Sequence, residues 1–507
     1  MSEVTETLLA KYNNYRELRD MGVELYPHVF RPSHKAGPLQ EQYKELPTGE
    51  KTADHVTVAG RVLSIRNSGM FIDLRDPTGK VQVYTNVKEI TPEQQRFLQL
   101  VDIGDIIGIG GIVRRTPRGE LTIDSDDIKM LCKSLRPLPE KRHGLVDPEE
   151  RYRGREADLI ANETSRTIFR NRARIIHFMR AMLHDRGFVE LETPILQTIA
   201  GGALARPFVT HHNTLDLSLY LRIATELHLK RMLIGDLADG VFEIGRIFRN
   251  EGISTRHNPE FTTIELYQAY ADYNDIMTLT EAIISGAAQE IHGKTKLSYG
   301  DKEIDFAAPW PRKSMADLVK EHTGVDFMAI TDAKEAVAAA RKLGADVKTG
   351  SNWGQAVEAA FGARVEDKLI QPIHVIDLPK DISPLAKTHR ANPRLAERFE
   401  TYINGWEVAN AFTELNDPFE QYARFEEQMA AREGGNDEAH QMDRDFVIAL
   451  EYGMPPTGGL GIGIDRMVML LTDAHSIREV IAFPTMRPVS AEDRPTIVEK
   501  IPPGNVL

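Results

Sequence analysis

VFEIGRIFRNEGISTRHNPEFTTIELYQAY, residues 241–270, decides the class of fold. Two runs of alternating apolar and polar residues flank a polar loop, which is the pattern of a long-looped β-hairpin. Successive side chains on a strand alternate faces, so Phe261, Thr263, Glu265 and Tyr267 share one face, and Arg249 sits at the end of the partner strand. A guanidinium, two acids (Glu251 and Glu265), His257, an aromatic ring and a phenol are thereby gathered in one place. Arg, His and Phe together suit a nucleoside triphosphate: the guanidinium forks onto phosphate, the imidazole assists, and the ring stacks on a base. The competing reading is a solvated loop with scattered charges.

Downstream, FETYINGWEVANAFTELND (399–417) holds a second hairpin signal, because Asn404-Gly405 suits a type I′ turn. With those residues as the turn, Tyr402 faces Glu407, and Glu400 lies two residues along on the same side. Two carboxylates so placed repel unless a proton or a cation lies between them, and hard oxygen ligands beside a phosphate fit Mg²⁺. The alternative is a pair of exposed strand acids. Asn410, Phe412 and Glu414 alternate on one face but with parity opposite to Glu407, so a shared cavity requires a bulge at Val408 or Ala409. A third segment, GGLGIGIDRMVMLL (458–471), is a Gly-rich strand running into a helix with Arg466 in its first turn. Strand glycines allow close approach of a ligand, and Arg466 would supply a second phosphate clamp. With no GxxxxGK[ST] segment in the chain, any ATP is held without a P-loop.

These hairpins sit in a chain of 507 residues, enough for two or more domains. Residues 56–131 contain five short β-rich runs, with one helical stretch, Pro92 to Leu100, between the third and fourth. That order predicts an OB-type barrel. Residues 1–50 read as a helical extension, 51–135 as the barrel domain, 136–160 as a Pro- and charge-rich linker, and 161–507 as a second domain. In the second domain strands and helices mix without sustained βαβ alternation, so an α+β domain around an antiparallel sheet is expected, with a small helical insertion around 330–365. Hydrophobic residues make up 41% and charged residues 27%, the balance of a globular protein, and no apolar run is long enough to span a bilayer. The one cysteine, Cys132, excludes an intrachain disulfide and a Cys-rich zinc site, so a reducing, cytoplasmic setting and no zinc are expected. The formal net charge of −13 means that any nucleic-acid contact must come from a local site.

The sequence resembles the class II aminoacyl-tRNA synthetases, and within them the lysine enzymes. RGFVELETP (186–194) is similar to the first class II motif, FRNEG (248–252) through HNPEFT (257–262) to the second, and GLGIGIDR (459–466) to the third. GGALARPFVTHHN (201–213), NPEFTTIELYQAYADY (258–273) and ELNDP (414–418) resemble the lysine group in particular. The resemblance implies ATP-dependent activation of lysine, transfer of lysine to the 3′ end of tRNA(Lys), and a homodimer joined through Ile168 to Pro194. It assigns Arg249 to the ATP α-phosphate and the lysine carboxylate, His257 and Arg466 to the outer phosphates, and Phe261 to the adenine with Glu251 beside it. Glu400 and Glu407 match magnesium ligands. Gly202, Glu226, Arg249, Glu265, Tyr267, Asn410, Phe412 and Glu414 match the amino-acid pocket, with Glu226 on the α-ammonium and Glu414 plus Tyr267 on the side-chain ammonium. In the barrel, Arg66, Phe71, Gln82 and Glu120 match anticodon readers. Physical chemistry agrees: an extended lysine needs acids for its ammoniums, an Arg for its carboxylate and an apolar wall for its methylenes. An aspartyl- or asparaginyl-type enzyme would need cations or amides where Glu226 and Glu414 stand, and a paralogue acting on a non-tRNA acceptor would commonly lack the barrel.

Overall fold

The computed structural model describes residues 3–139, 145–203, 205–433, 441–490 and 496. The chain divides into two compact units, Met1–Asp147 with Glu156–Ala161 and Arg487–Leu507, and Pro148–Arg155 with Asn162–Met486.

In the first unit five strands, Lys51–Arg66, Phe71–Arg75, Lys80–Tyr84, Ile106–Arg115 and Leu121–Cys132, form a closed barrel. Closure follows from the first strand pairing with both the second and the fourth, while the third and fifth run parallel. Strict alternation directs Ile72, Leu74, Val81 and Val83 inward and leaves Phe71, Asp73, Gln82 and Tyr84 on the outer face. The helix Pro92–Leu100 lies between the third and fourth strands and starts from a capping box of Thr91 and Gln94. The amino-terminal helix is Glu3–Asp20, and the chain turns after it at Gly22, where φ is +77°. Within the stretch that reads as a linker, residues 140–144 lie outside the described residues, and the remainder includes two short helices, Pro148–Arg153 and Arg155–Ala161. Pro148 at a helix start, with Glu149 and Glu150 in the first turn, favours that initiation despite the broken periodicity.

The second unit is built on an eight-stranded sheet. From edge to edge its strands are Arg312–Ser314, Ile373–Ile376, Arg398–Ile403, Trp406–Thr413, Thr457–Gly463, Glu260–Ala269, Gly240–Phe248 and Val189–Glu190. The five inner pairings are antiparallel, and the two outermost are parallel. A parallel neighbour needs a long crossover. One such crossover carries the helices Met315–Thr323, Ala333–Lys342 and Trp353–Arg364, and its Phe327, between the first two helices, joins Trp353, Val357 and Phe361 in a second core. The main core lies on one face of the sheet, where Glu163–Asp185, Tyr273–His292 and Ile464–Thr472 pack on Ile264, Leu266, Leu460 and Ile462. The apolar stripe Ile168, Ile175, Met179 and Leu183 is buried in this core. Among the described residues no helix is long and apolar enough to cross a membrane.

Candidate active site

The other face of the sheet floors a cavity of about 420 Å³. Because Ile264 and Leu266 turn to the helices, Thr263, Glu265 and Tyr267 of the same strand must turn to the cavity. The adjoining strand places Gly459, Gly461 and Gly463 opposite Tyr267, Glu265 and Thr263. A methyl group at Gly459 would overlap Glu414 Oε1 and come within 2.6 Å of the Tyr267 ring, so the glycine makes room for both side chains. At the neighbouring hairpin the turn residues Asn404 and Gly405 have φ of +55° and +69°, as a type I′ turn requires. Tyr402 pairs with Glu407 and Thr401 with Ala409, which leaves Val408 as the extra residue of a bulge. Val408 and Ala409 both join the core, and Glu407, Asn410, Phe412 and Glu414 all reach the cavity.

The cavity brings together every residue that the resemblance assigns to ATP, lysine and magnesium: Gly202, Glu226, Arg249, Glu251, His257, Phe261, Glu265, Tyr267, Glu400, Glu407, Asn410, Phe412, Glu414 and Arg466. The guanidinium of Arg249 lies 5.3 Å from the centre of the Phe261 ring, and its Nε donates to Ile223 O at 3.5 Å. Arg466 donates from Nη1 to the Glu407 carbonyl at 2.6 Å and from Nη2 to His257 Nε2 at 3.0 Å. An accepting Nε2 leaves the ring proton on Nδ1, which faces Ser254 Oγ at 2.8 Å. Burial, then the Arg466 charge, hold His257 below the usual imidazole range. Helix Ile464–Thr472 carries Arg466, and Asp465 before it fixes the helix start by accepting from Thr262 N at 2.7 Å and Arg172 Nη1 at 2.6 Å.

Glu400 accepts from Arg398 Nη2 at 2.7 Å and from the Tyr402 hydroxyl at 2.9 Å. Burial, then repulsion from Glu407, push its carboxyl up to about 7. Among the described residues no group of three or more His, Cys, Asp or Glu side chains forms a complete metal cage. Two repelling carboxylates in one cavity with Arg249 and Arg466 nevertheless fit Mg²⁺, which is commonly held by one or two carboxylates and completed by substrate phosphates.

The part of the cavity around Glu226, Glu265 and Glu414 is acidic. Burial and the neighbouring Glu226 push Glu265 up to about 7, and it accepts from Thr225 N at 3.2 Å and Tyr267 Oη at 3.4 Å. Gly202, with φ of +85°, approaches to where an added Cβ would be 3.1 Å from Glu226 Cβ. Glu226 and Glu414, which the resemblance assigns to the two ammoniums of a lysine, also share a protein partner. Both bond the Nζ of one protein residue, Lys230, with Glu226 Oε1 at 2.5 Å and Glu414 Oε2 as the other partner. Sequence reasoning passed over Lys230, although its position four residues after Glu226 on the helix Glu226–Ile234 is an ion-pair spacing. It passed over Arg398 too, whose signal is its place two residues before Glu400 on one strand.

In the barrel, Phe71 and Tyr84 are paired across strands with ring centres 5.2 Å apart, Arg66 lies 6.0 Å from the Phe71 ring, and Arg114 lies 4.6 Å from the Tyr84 ring. Arg66 also donates to Asp73 at 2.8 Å, and Gln82 Oε1 accepts from Thr122 at 3.1 Å. Glu120 is exposed beside the start of the fifth strand. Phe71 is half-buried on the outer face and is not barrel core, and Tyr84, unnoticed in the sequence, extends the aromatic surface.

The family described as tRNA synthetases class II (D, K and N) matches residues 147–487, and that of the OB-fold nucleic acid binding domain matches residues 56–131. The lysine–tRNA ligase of Sinorhizobium medicae is 52% identical over 487 residues, covering 96% of this chain and 97% of that protein. That of Moorella thermoacetica is 50% identical over 485 residues, 95% and 98% of the two chains, and that of Staphylococcus epidermidis 49% identical over 491, 96% and 99%. With a matched barrel, a matched catalytic unit and half its residues shared along almost the whole length, the chain belongs to the class II tRNA synthetases, in the lysine–tRNA ligase family.

Proposed function

We propose that the cavity activates L-lysine with ATP and passes the lysyl group to the 3′ end of tRNA(Lys). The observation that carries this reading is the division of one cavity into an acidic, aromatic part around Glu226, Glu265, Glu414, Tyr267 and Phe412 and a part holding Arg249, His257 and Arg466. The first part takes a cationic amino acid with an apolar stem, and the second takes phosphates. Phe261 stacks on the adenine, with Glu251 beside it. Arg249 draws the substrate carboxylate to the α-phosphorus and stabilises the charge that develops there, while Arg466, braced by His257 and Glu407 O, holds the outer phosphates. Glu400 and Glu407 would hold Mg²⁺, which when bound neutralises phosphate charge. No protein nucleophile is required: the carboxylate attacks phosphorus and pyrophosphate leaves, then a terminal ribose hydroxyl attacks the acyl carbon of the lysyl-adenylate and AMP leaves.

Anticodon reading falls to the outer face of the barrel. The half-buried Phe71 ring with Tyr84 and Arg66 against it supplies a stacking platform, and Gln82 and Glu120 of the same barrel supply hydrogen-bonding groups. A homodimer is supported by exposed apolar side chains, Ile195, Leu196, Val209, Leu215 and Leu217, clustered in sequence just after the first motif. The single Cys132 supports a reducing, cytoplasmic setting. ATP–pyrophosphate exchange with each of the twenty amino acids tests the central reading. Exchange with lysine alone is expected, and exchange with aspartate or asparagine in its place would overturn it.

A further inference from the structure

Lys230 has no place in the chemistry above, yet its position is costly. It is 1% exposed, its ammonium bonds Glu226 Oε1 and Glu414 Oε2, and its charge lies 5.3–5.8 Å from the centres of the Phe412, Tyr267 and Phe446 rings. An ammonium is not buried without repayment, and here two carboxylates and three ring faces repay it. The cavity wall includes Glu226, Glu414, Tyr267 and Phe412, and Lys230 stands behind them. Both Glu414 oxygens are buried without a hydrogen-bond donor among the described residues, and since Oε2 is ion-paired with Lys230, Oε1 remains for another cation.

We propose that Lys230 is a positioning residue for the amino-acid substrate: its ammonium clamps one oxygen each of Glu226 and Glu414 from behind and leaves their other oxygens to the substrate lysine. The inference rests on the reading of Glu226 and Glu414 as lysine-binding acids. Without Lys230, three buried carboxylates would share one pocket. Glu265 and the Tyr267 phenol face the pair from the strand Glu260–Ala269, Arg398 acts on Glu226 from the sheet, Arg249 acts on Glu265, and Phe446 of the helix Arg444–Glu451 adds an aromatic ring. Burial already raises Glu226 and Glu414, and Lys230 is the main group opposing that rise. Its loss would let a proton take the place of the clamp, and a protonated acid attracts an ammonium poorly.

The test is lysine-dependent ATP–pyrophosphate exchange by Lys230→Met, which keeps length and removes charge. Lysine KM should rise about tenfold or more at pH 7.5, with ATP KM within about twofold, and should recover severalfold by pH 8.5, where the wild type changes little. Lys230→Arg, still cationic, should keep the flat profile between those pH values. A lysine KM unchanged in Lys230→Met, or a rise that persists equally at pH 8.5, overturns the proposal, since loss of packing alone would not titrate. If Lys230→Met does not fold, calorimetry of lysine binding to the wild type at pH 8 in two buffers decides. Acids held ionised release almost no proton, and release approaching one proton per site rejects the clamp. Glu414→Gln separates the two levels: should its lysine KM be unchanged, the pocket reading itself fails, whereas a raised KM beside a normal Lys230→Met condemns only Lys230.

Discussion

Glu414 is buried in the wall of the cavity, in the part proposed to take the amino acid, with Oε2 ion-paired to Lys230 and Oε1 unpaired among the described residues. Substituting it leaves a bound ammonium short of its counter-charge, at about 3–5 kcal/mol. Glu414→Gln should therefore raise the lysine KM about several hundredfold with ATP KM nearly constant, as steady-state exchange would measure. Glu265 adds a pH dependence. Its carboxyl, raised to about 7 by burial and by Glu226, is protonated at pH 6 and charged at pH 8. Lysine KM should fall as the pH rises between those values, and Glu265→Gln should flatten the fall. The same group makes the free protein less stable as pH rises. A folded-state pKa above the unfolded one means that the folded form binds the proton more tightly, so its contribution is complete below the ordinary carboxyl range and lost through pH 7. Melting curves at pH 5.5 and 8 should show a lower midpoint at pH 8, with a smaller difference in Glu265→Gln.

At the scale of elements, three adjacent strands build the pocket because their periodicities interlock. The Val408 bulge brings Glu407 to the same cavity as Asn410 and Phe412, and the alternate glycines of Thr457–Gly463 let side chains from both flanking strands lie over their backbone. Gly459 is the closest of these approaches. In Gly459→Ala the new methyl meets the Glu414 carboxylate and the Tyr267 ring, and neither can retreat because both are buried. Lysine KM should rise about tenfold or more while the circular dichroism spectrum and ATP KM stay close to wild type. An unaltered lysine KM would show that the strands can move apart there.

For the whole molecule, two separable activities are expected from two units. Phe71→Ala removes a stacking face worth about 1–3 kcal/mol, so tRNA charging should slow about tenfold or more while lysine-dependent exchange is unchanged. A parallel fall in both half-reactions would mark Phe71 as structural. With a net charge of −13, binding of tRNA depends on local groups such as Arg66 and Arg114. Sedimentation should give twice the 57.0 kDa chain mass, and an active species at the chain mass would reject the homodimer.

The linear pattern alone determined the hairpins, the five-strand order with its intervening helix, the turn at Asn404-Gly405 and the need for a bulge beyond Glu407, because these follow from period-two alternation and from residues that tolerate φ > 0. That Glu407, Asn410 and Glu414 share a cavity was not legible from alternation, which gives them opposite parity; the resemblance implied it, and the Val408 bulge brings them together. Tertiary structure alone decided that the stripe on Glu163–Asp185 is core, since an apolar face does not name what covers it. It also decided the parallel outer strands, whose long crossovers leave no local signature, and the aromatic pair of Phe71 and Tyr84. Lys230 is the sharpest case. Its spacing from Glu226 reads as a surface ion pair on a helix, and only the fold, by bringing Glu414 from a segment 184 residues further along the chain, buries that ammonium between two acids.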